Sequence, residues 1–270
     1  MDRRSGSPPS SPRVASRERG DGRSSLLSDE DARIRALLAL EDTARAGGAR
    51  RIAGVDEAGR GALAGPVPAA AVVLPAGFLL RGLDDSKALA PSVREALAPR
   101  IRARAEAWGV GAASAAEIDE LGIAAASFLA MRRALARLAG GPPDLVLVDG
   151  FAIPGLGLPQ RAVVKGDATV ACICAASVLA KTDRDVELRA LDAGSPWYGF
   201  AAHKGYGSAA HLEALRRHGP SPEAPEPEVP GRQVPQHGHH ADQPQRRGRG
   251  GPPGRRRRSA GGGGRAFLDR

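Results

Sequence analysis

The sequence predicts an α/β domain in which a mixed sheet is flanked by helices. Three observations carry that expectation. Apolar runs at 51–55 and 67–74, with a third at 108–113, lie close enough in the chain to pair as neighbours. A further apolar run, Leu145-Val146-Leu147-Val148, stops on Asp149-Gly150. Stretches of helical periodicity alternate with these strands along the rest of the body.

Residues 1–24 are rich in Arg, Ser, Pro and Gly and hold too little apolar area to offset chain entropy, so the sequence predicts a disordered tail there. Ser28, followed by Asp29, Glu30 and Asp31, reads as a helix N-cap, and Ile34, Leu37, Leu38 and Leu40 then recur at helical spacing up to Gly47-Gly48. The strand at 51–55 is ended by Asp56-Glu57-Ala58-Gly59-Arg60-Gly61, and the strand at 67–74 is apolar throughout and therefore buried. Helical patterns follow over 91–107 and, broken at Gly122, over 115–138. Beyond the strand at 145–148 come a strand at 161–164, a long helix over 169–191 and a closing helix over 209–218. One catalytic domain over 25–220 is the resulting expectation, with 221–270 a second disordered tail containing a run of four arginines, Arg255 to Arg258.

The formal net charge is +9, of which three units fall in 1–24, one in 25–220 and five in 221–270. A nearly neutral body neither supports nor excludes a polyanionic substrate, so motifs must decide. Cys172 and Cys174 stand too close on one segment for a stable disulfide and read as core residues. With no long apolar run and no apolar leader, the expectation is a cytoplasmic protein that does not enter a membrane.

Asp56, Glu57, Asp149 and Asp167 each stand at a strand or loop end, where they can converge on one patch. Such a patch repels itself unless cations occupy it, and hard carboxylate oxygens suit Mg²⁺ or Mn²⁺. A pair of such ions supports in-line hydrolysis of a phosphodiester. Taken singly, each acid is more often a turn or cap residue, because Asp-Gly and Lys-Gly-Asp are ordinary loop chemistry. Ser177 and Lys181 share a helix face and can hold a phosphate, or can simply be helix surface. Ser86 with Lys87, and Lys204 with Tyr206 in His203-Lys204-Gly205-Tyr206, carry the same two readings. His237, His239 and His240 lie in the tail and suggest adventitious metal binding only.

Together the segments resemble bacterial ribonuclease HII, a type 2 ribonuclease H. The resemblance runs in order over the body: Gly54-Val55-Asp56-Glu57-Ala58-Gly59-Arg60-Gly61, Asp84-Asp85-Ser86-Lys87, Val148-Asp149-Gly150, Val164-Lys165-Gly166-Asp167, Ala175-Ala176-Ser177-Val178-Leu179-Ala180-Lys181, and His203-Lys204-Gly205-Tyr206. It implies a ribonuclease H-like fold and a monomer. It also implies catalytic, metal-binding roles for Asp56, Glu57, Asp149 and Asp167 toward two Mn²⁺ or Mg²⁺ ions. The backbone of Gly59-Arg60-Gly61 would read a 2′-hydroxyl and Tyr206 would stack on the adjoining deoxyribose, with Ser86, Lys87, Ser177, Lys181 and Lys204 as further substrate contacts. The implied partners are RNA–DNA hybrids and duplex DNA containing ribonucleotides, cut 5′ to the ribonucleotide.

Departures from the family pattern are Ala62, Gly207-Ser208 and Thr182-Asp183, the last of which adds a negative charge near the phosphate path. After Glu223 the family's basic ending is missing. A one-base shift of reading frame from about Ala224 would restore His-Arg-Ser-Arg-Arg-Phe, so a frameshifted tail is expected. Two competing functions are a nucleic-acid-binding protein without catalysis, and a related nuclease with another substrate; the full set of acids argues against the first, and the Gly59-Arg60-Gly61 and Tyr206 segments against the second.

Overall fold

Five strands in the order β3-β2-β1-β4-β5 organise the chain in this computed structural model, which describes residues 21–221 except 79, 85 and 88, with side-chain surroundings from Asp29 onward. Asp85, the tail histidines, the arginine run and the proposed frame change lie outside the described residues. In chain order the elements are α1 (Asp21–Ala46), β1 (Ile52–Glu57), β2 (Val67–Val73), α2 (Pro91–Arg104), β3 (Ala107–Ala113), α3 (Ala115–Leu121), α4 (Ile123–Ala136), β4 (Leu145–Asp149) and β5 (Gln160–Val163). A single turn α5 (Gly166–Thr169), the long α6 (Ala171–Gly194), a 3-10 turn Pro196–Tyr198, α7 (Phe200–His203) and α8 (Ala209–His218) follow.

The sheet is mixed, as the sequence predicts. β2 runs antiparallel to both β1 and β3, whereas β4 is parallel to β1 and β5 to β4. Successive side chains on a strand alternate faces, and both faces are covered. Ile52, Val72 and Leu147 join Leu37, Ile101 and Leu179 in one core beneath α1, α2 and α6. Val55, Val73, Val146 and Val148 join Met131 and Ala134 of α4 in the other. This double cover explains why every residue of β2 is buried.

Glycines set how closely helices approach. A Cβ on Gly111 of β3 would lie 2.5 Å from the amide nitrogen of Ala134, so α4 rests directly on the strand. Between α3 and α4 the break falls at Gly122, whose φ of 77° an L side chain rarely adopts, and Ser114 with Glu117 forms a capping box at the start of α3.

Two helix ends differ from the sequence expectation. α1 begins at Asp21, seven residues before Ser28, so residues 21–24 belong to a helix and Ser28 is not a cap. Extending a helix backward through a stretch without proline costs little once it is nucleated. The expected helix over 169–191 is split at Val170, whose φ of −133° and ψ of 122° are extended, leaving α5 as a separate turn.

No side chain of α6 itself caps its start. Glu41 of α1 does so from 131 residues away, its Oε1 accepting the Cys172 N–H at 2.8 Å. Glu41 is fully buried, and burial pushes its carboxyl above the usual range, opposed by the Cys172 hydrogen bond. A carboxyl raised in the folded state contributes stability that is complete below its unfolded pKa and is lost as pH rises through the folded value. Glu41→Gln keeps an acceptor and removes the charge. Its denaturation midpoint is therefore expected to fall less than the parent's as pH rises above the ordinary glutamate range, and equal slopes in the two proteins would rule this account out. Among the described residues no helix is long and apolar enough to cross a membrane.

Candidate active site

The register of two parallel strands builds the site. Ile52 to Val55 pair in order with Leu145 to Val148, so the next residues, Asp56 and Asp149, emerge side by side at the strands' carboxyl ends. Alternation places both on the face covered by α6, the face of Ile52 and Leu147. Asp149 Oδ1 accepts the Gly166 N–H at 2.7 Å and the Asp167 N–H at 3.3 Å, which ties α5 to the end of β4. Carboxylate oxygens of Asp56, Asp149 and Asp167 consequently lie within 4.8 Å of one another. Glu57, one residue beyond Asp56, leaves the strand on the opposite side. It stays outside that group of three, lines the same cleft, and pairs with Arg60 at 3.3 Å.

Concentrated negative charge in a poorly hydrated place is costly. Burial, then the charges of Glu57 and Asp149, pushes the Asp56 carboxyl well above the ordinary range, and a Ser177 hydrogen bond opposes them. Burial also raises Glu57, against the pull of Arg60, and burial with the charge of Asp167 raises Asp149. Lys87 Nζ meets Asp167 Oδ2 at 2.7 Å, a bond that raises the lysine in turn. Three clustered hard oxygen donors fit divalent cations such as Mg²⁺ or Mn²⁺.

Asp56, Glu57 and Asp149 line a cavity of about 430 Å³. Among its lining residues Ser86 and Ser177 share a hydrogen bond of 2.6 Å, and Lys181 lies one helical turn from Ser177. The turn after β1 lines the same cavity. Gly59 has φ +101°, and a Cβ there would lie 2.2 Å from Arg184 Nε. Arg184 is buried and reaches three carbonyls: Pro66 at 3.3 Å, Ala64 at 3.0 Å and Lys204 at 2.7 Å. Its Cζ stands 5.6 Å from the centre of the Tyr206 ring. Arg184 thus joins the glycine-rich turn to the segment bearing Lys204 and Tyr206. A Cβ on Gly61 would be 3.9 Å from Tyr206 Cε1, so the turn and the half-exposed ring stand side by side.

Sequence reasoning did not single out Arg94, Arg184 or Asp185 as part of this cleft. Arg94 and Asp185 form a buried ion pair of 2.9 Å, and Arg94 also bonds the Ser86 carbonyl at 3.2 Å, fixing the loop that carries Ser86 and Lys87. A signal was present for each. Arg184 and Asp185 continue the helical face of Ser177 and Lys181, and Arg94 occupies a core position at the spacing of Leu97, Ala98 and Ile101. Asp183 turns instead to Arg102 of α2, with which it is ion-paired.

Comparison with known proteins agrees with the geometry. The family model for ribonuclease HII matches residues 53–228. The chain is 52% identical over 198 residues to a ribonuclease HII of Geobacillus kaustophilus, spanning 73% of this chain and 75% of that protein. It is 57% identical over 175 residues to a ribonuclease HII of Syntrophotalea carbinolica, spanning 65% and 83%. Among solved structures, ribonuclease H2 of Pyrococcus horikoshii superposes with a TM-score of 0.55 at 26% identity, over 66% of this chain and 92% of that one.

Proposed function

Because the chain belongs to the ribonuclease HII family, endonucleases that cut the RNA of RNA–DNA hybrids, we propose that it also cuts 5′ to single ribonucleotides embedded in duplex DNA, by two-metal-ion catalysis. The products are a 3′-hydroxyl and a 5′-phosphate. In this reading Asp56, Asp149 and Asp167 hold the cations and Glu57 completes the set from the edge of the cleft. When bound, such ions supply Lewis-acid stabilisation to the charge that develops on the phosphoryl and leaving oxygens.

The remaining work belongs to the protein. Lys181 and Lys204 face the phosphates, and Lys87 is held beside Asp167 to neutralise the same region. Ser86 and Ser177 orient Asp56. Gly59-Arg60-Gly61 offers backbone groups to a 2′-hydroxyl, the group that distinguishes RNA from DNA at one nucleotide, while Tyr206 stacks on the next sugar. The observation that carries this reading is that Gly61 and the neighbouring Tyr206 line the same cavity as Asp56 and Asp149, two of the three clustered carboxylates. A turn that senses a 2′-hydroxyl and a ring that needs a sugar without one are thereby set next to each other, as an RNA-to-DNA junction requires. We assign the activity to a cytoplasmic monomer; Cys172 and Cys174, both buried and neither in a disulfide, accord with a reducing compartment.

A labelled DNA duplex containing one ribonucleotide, incubated in Mg²⁺, in Mn²⁺ and in chelator, tests the proposal. Expected is a metal-dependent cut 5′ to the ribonucleotide with an all-DNA duplex left intact. Salt-sensitive binding without cutting, by folded protein in either metal, would favour a nucleic-acid-binding protein instead, and cutting in chelator would remove the cations from the chemistry.

A further inference from the structure

The role given above to Tyr206 requires the ring to be presented at a fixed place, and we infer that a stacked pair of neutral histidines, His203 and His211, is the positioning device that holds it. The inference rests on that reading of Tyr206 and adds residues that do not themselves touch substrate.

The segment needs holding. Lys204 and Gly205 both adopt left-handed backbone, with φ of 54° and 76°, a conformation that for lysine persists only where its surroundings impose it. Arg184 and the Leu63 N–H secure the carbonyls of Lys204 and Gly205 from the cleft side, at 2.7 and 2.8 Å. The two rings secure it from behind. His211 Nδ1 stands 3.0 Å from the Tyr206 carbonyl, and a carbonyl only accepts, so this nitrogen carries the proton. His203 has the opposite tautomer: its Nδ1 accepts the Gly205 N–H at 3.2 Å and its Nε2 donates to the Tyr198 carbonyl at 2.7 Å.

The rings lie 4.3 Å apart and nearly parallel, and Phe200 meets both edge-on at 5.9 and 5.6 Å. His211 is fully buried and its Nε2 has no hydrogen-bond partner among the described residues, so nothing is placed to receive a second proton there. Burial pushes its pKa down accordingly. Two neutral rings with complementary tautomers therefore clamp the backbone on either side of Tyr206, one through its own carbonyl and one through the preceding amide.

Two measurements on the full chain decide the matter. A long-range ¹H–¹⁵N spectrum of the free protein reads the tautomers directly: Nδ1–H at His211 and Nε2–H at His203 are expected, and the reverse assignment, or a protonated pair at neutral pH, overturns the clamp. Kinetics on the duplex with one ribonucleotide then compare His211→Phe, which keeps a stacking ring without the donor, with His211→Asn, which restores an N–H near the Nδ1 position. His211→Phe should lower kcat/KM about threefold to tenfold, the size of one lost hydrogen bond, and His211→Asn should recover most of it. In a Tyr206→Ala background the same His211→Phe change should add no further loss. Equal losses in both backgrounds would show that His211 acts independently of Tyr206 and would end the proposal. If Tyr206→Ala alone leaves cleavage unchanged, the substrate role of Tyr206 fails, and the tautomers alone then decide whether the clamp exists.

Discussion

Asp149→Asn is expected to lower the rate of cleavage by on the order of a thousandfold or more while leaving the fold intact. The two halves of that expectation come from different atoms of one side chain. Asp149 Oδ1 accepts the N–H groups of Gly166 and Asp167, which fixes α5 and hence Asp167 itself. An asparagine keeps an acceptor oxygen there, so the junction between β4 and α5 survives. What it loses is the charge and the second oxygen, and an amide nitrogen cannot serve a divalent cation. The variant's melting temperature without metal should equal or exceed that of the parent, because one of three mutually repelling acids has gone. Adding Mn²⁺ should raise the parent's melting temperature and the variant's far less, since a ligand stabilises only in proportion to its binding of the folded state. Cleavage within tenfold of the parent would remove Asp149 from the chemistry.

The same residue shows how far the sequence could be read. Its place after Leu145-Val146-Leu147-Val148 was enough to put it at a strand end, and the periodicity of the body was enough for a mixed sheet flanked by helices. The convergence of Asp56, Asp149 and Asp167 was legible because each acid follows a strand or opens a turn. Glu57 was harder. Neighbours on a strand diverge, and β1 keeps its pairing through Glu57, opposite Ala69, where Gly59-Arg60-Gly61 had suggested an earlier end. The extended residue Val170 was invisible for another reason: Ala171-Cys172-Ile173-Cys174 reads as continuous helix with Thr169, and the cap that lets α6 start afresh comes from Glu41 on a distant helix. Arg184 was missed because its partners, the carbonyls of Ala64, Pro66 and Lys204, are backbone groups brought near only by the fold. Local patterns reveal which residues carry charge and where chains turn. The helical face that Arg184 shares with Ser177 and Lys181 marked its side of α6, but not which main-chain atoms the fold would bring to it.

Gly54 joins fold and site most directly, and Gly54→Ala is expected to destabilise the protein by about 3 kcal/mol or more and to weaken cation binding as well. Gly54 lies on β1 between Ile52 and Asp56, on the face covered by α6. A Cβ there would sit 2.2 Å from the carbonyl carbon of Cys172, 2.4 Å from the Ile173 nitrogen and 2.5 Å from the Cys172 oxygen. All three are backbone atoms, so no side chain can rotate away and the first turn of α6 must move as a body. That turn is tied to Asp167 by the Cys174 thiol, which donates to the Asp167 carbonyl at 2.9 Å, and α6 carries Ser177, which bonds to Asp56. Lifting α6 from the sheet therefore separates Asp167 from Asp56 even though neither is altered. In a domain of this size each kcal/mol shifts the melting temperature by about 2–4 °C, so a fall of roughly 6 °C or more is anticipated. Gly194→Ala, at the far end of the same helix with open space around the new methyl group, serves as the control and should hold or gain stability. A Gly54→Ala protein with the parent's melting temperature and the parent's response to Mn²⁺ would show that α6 does not need this close approach to hold the carboxylates together.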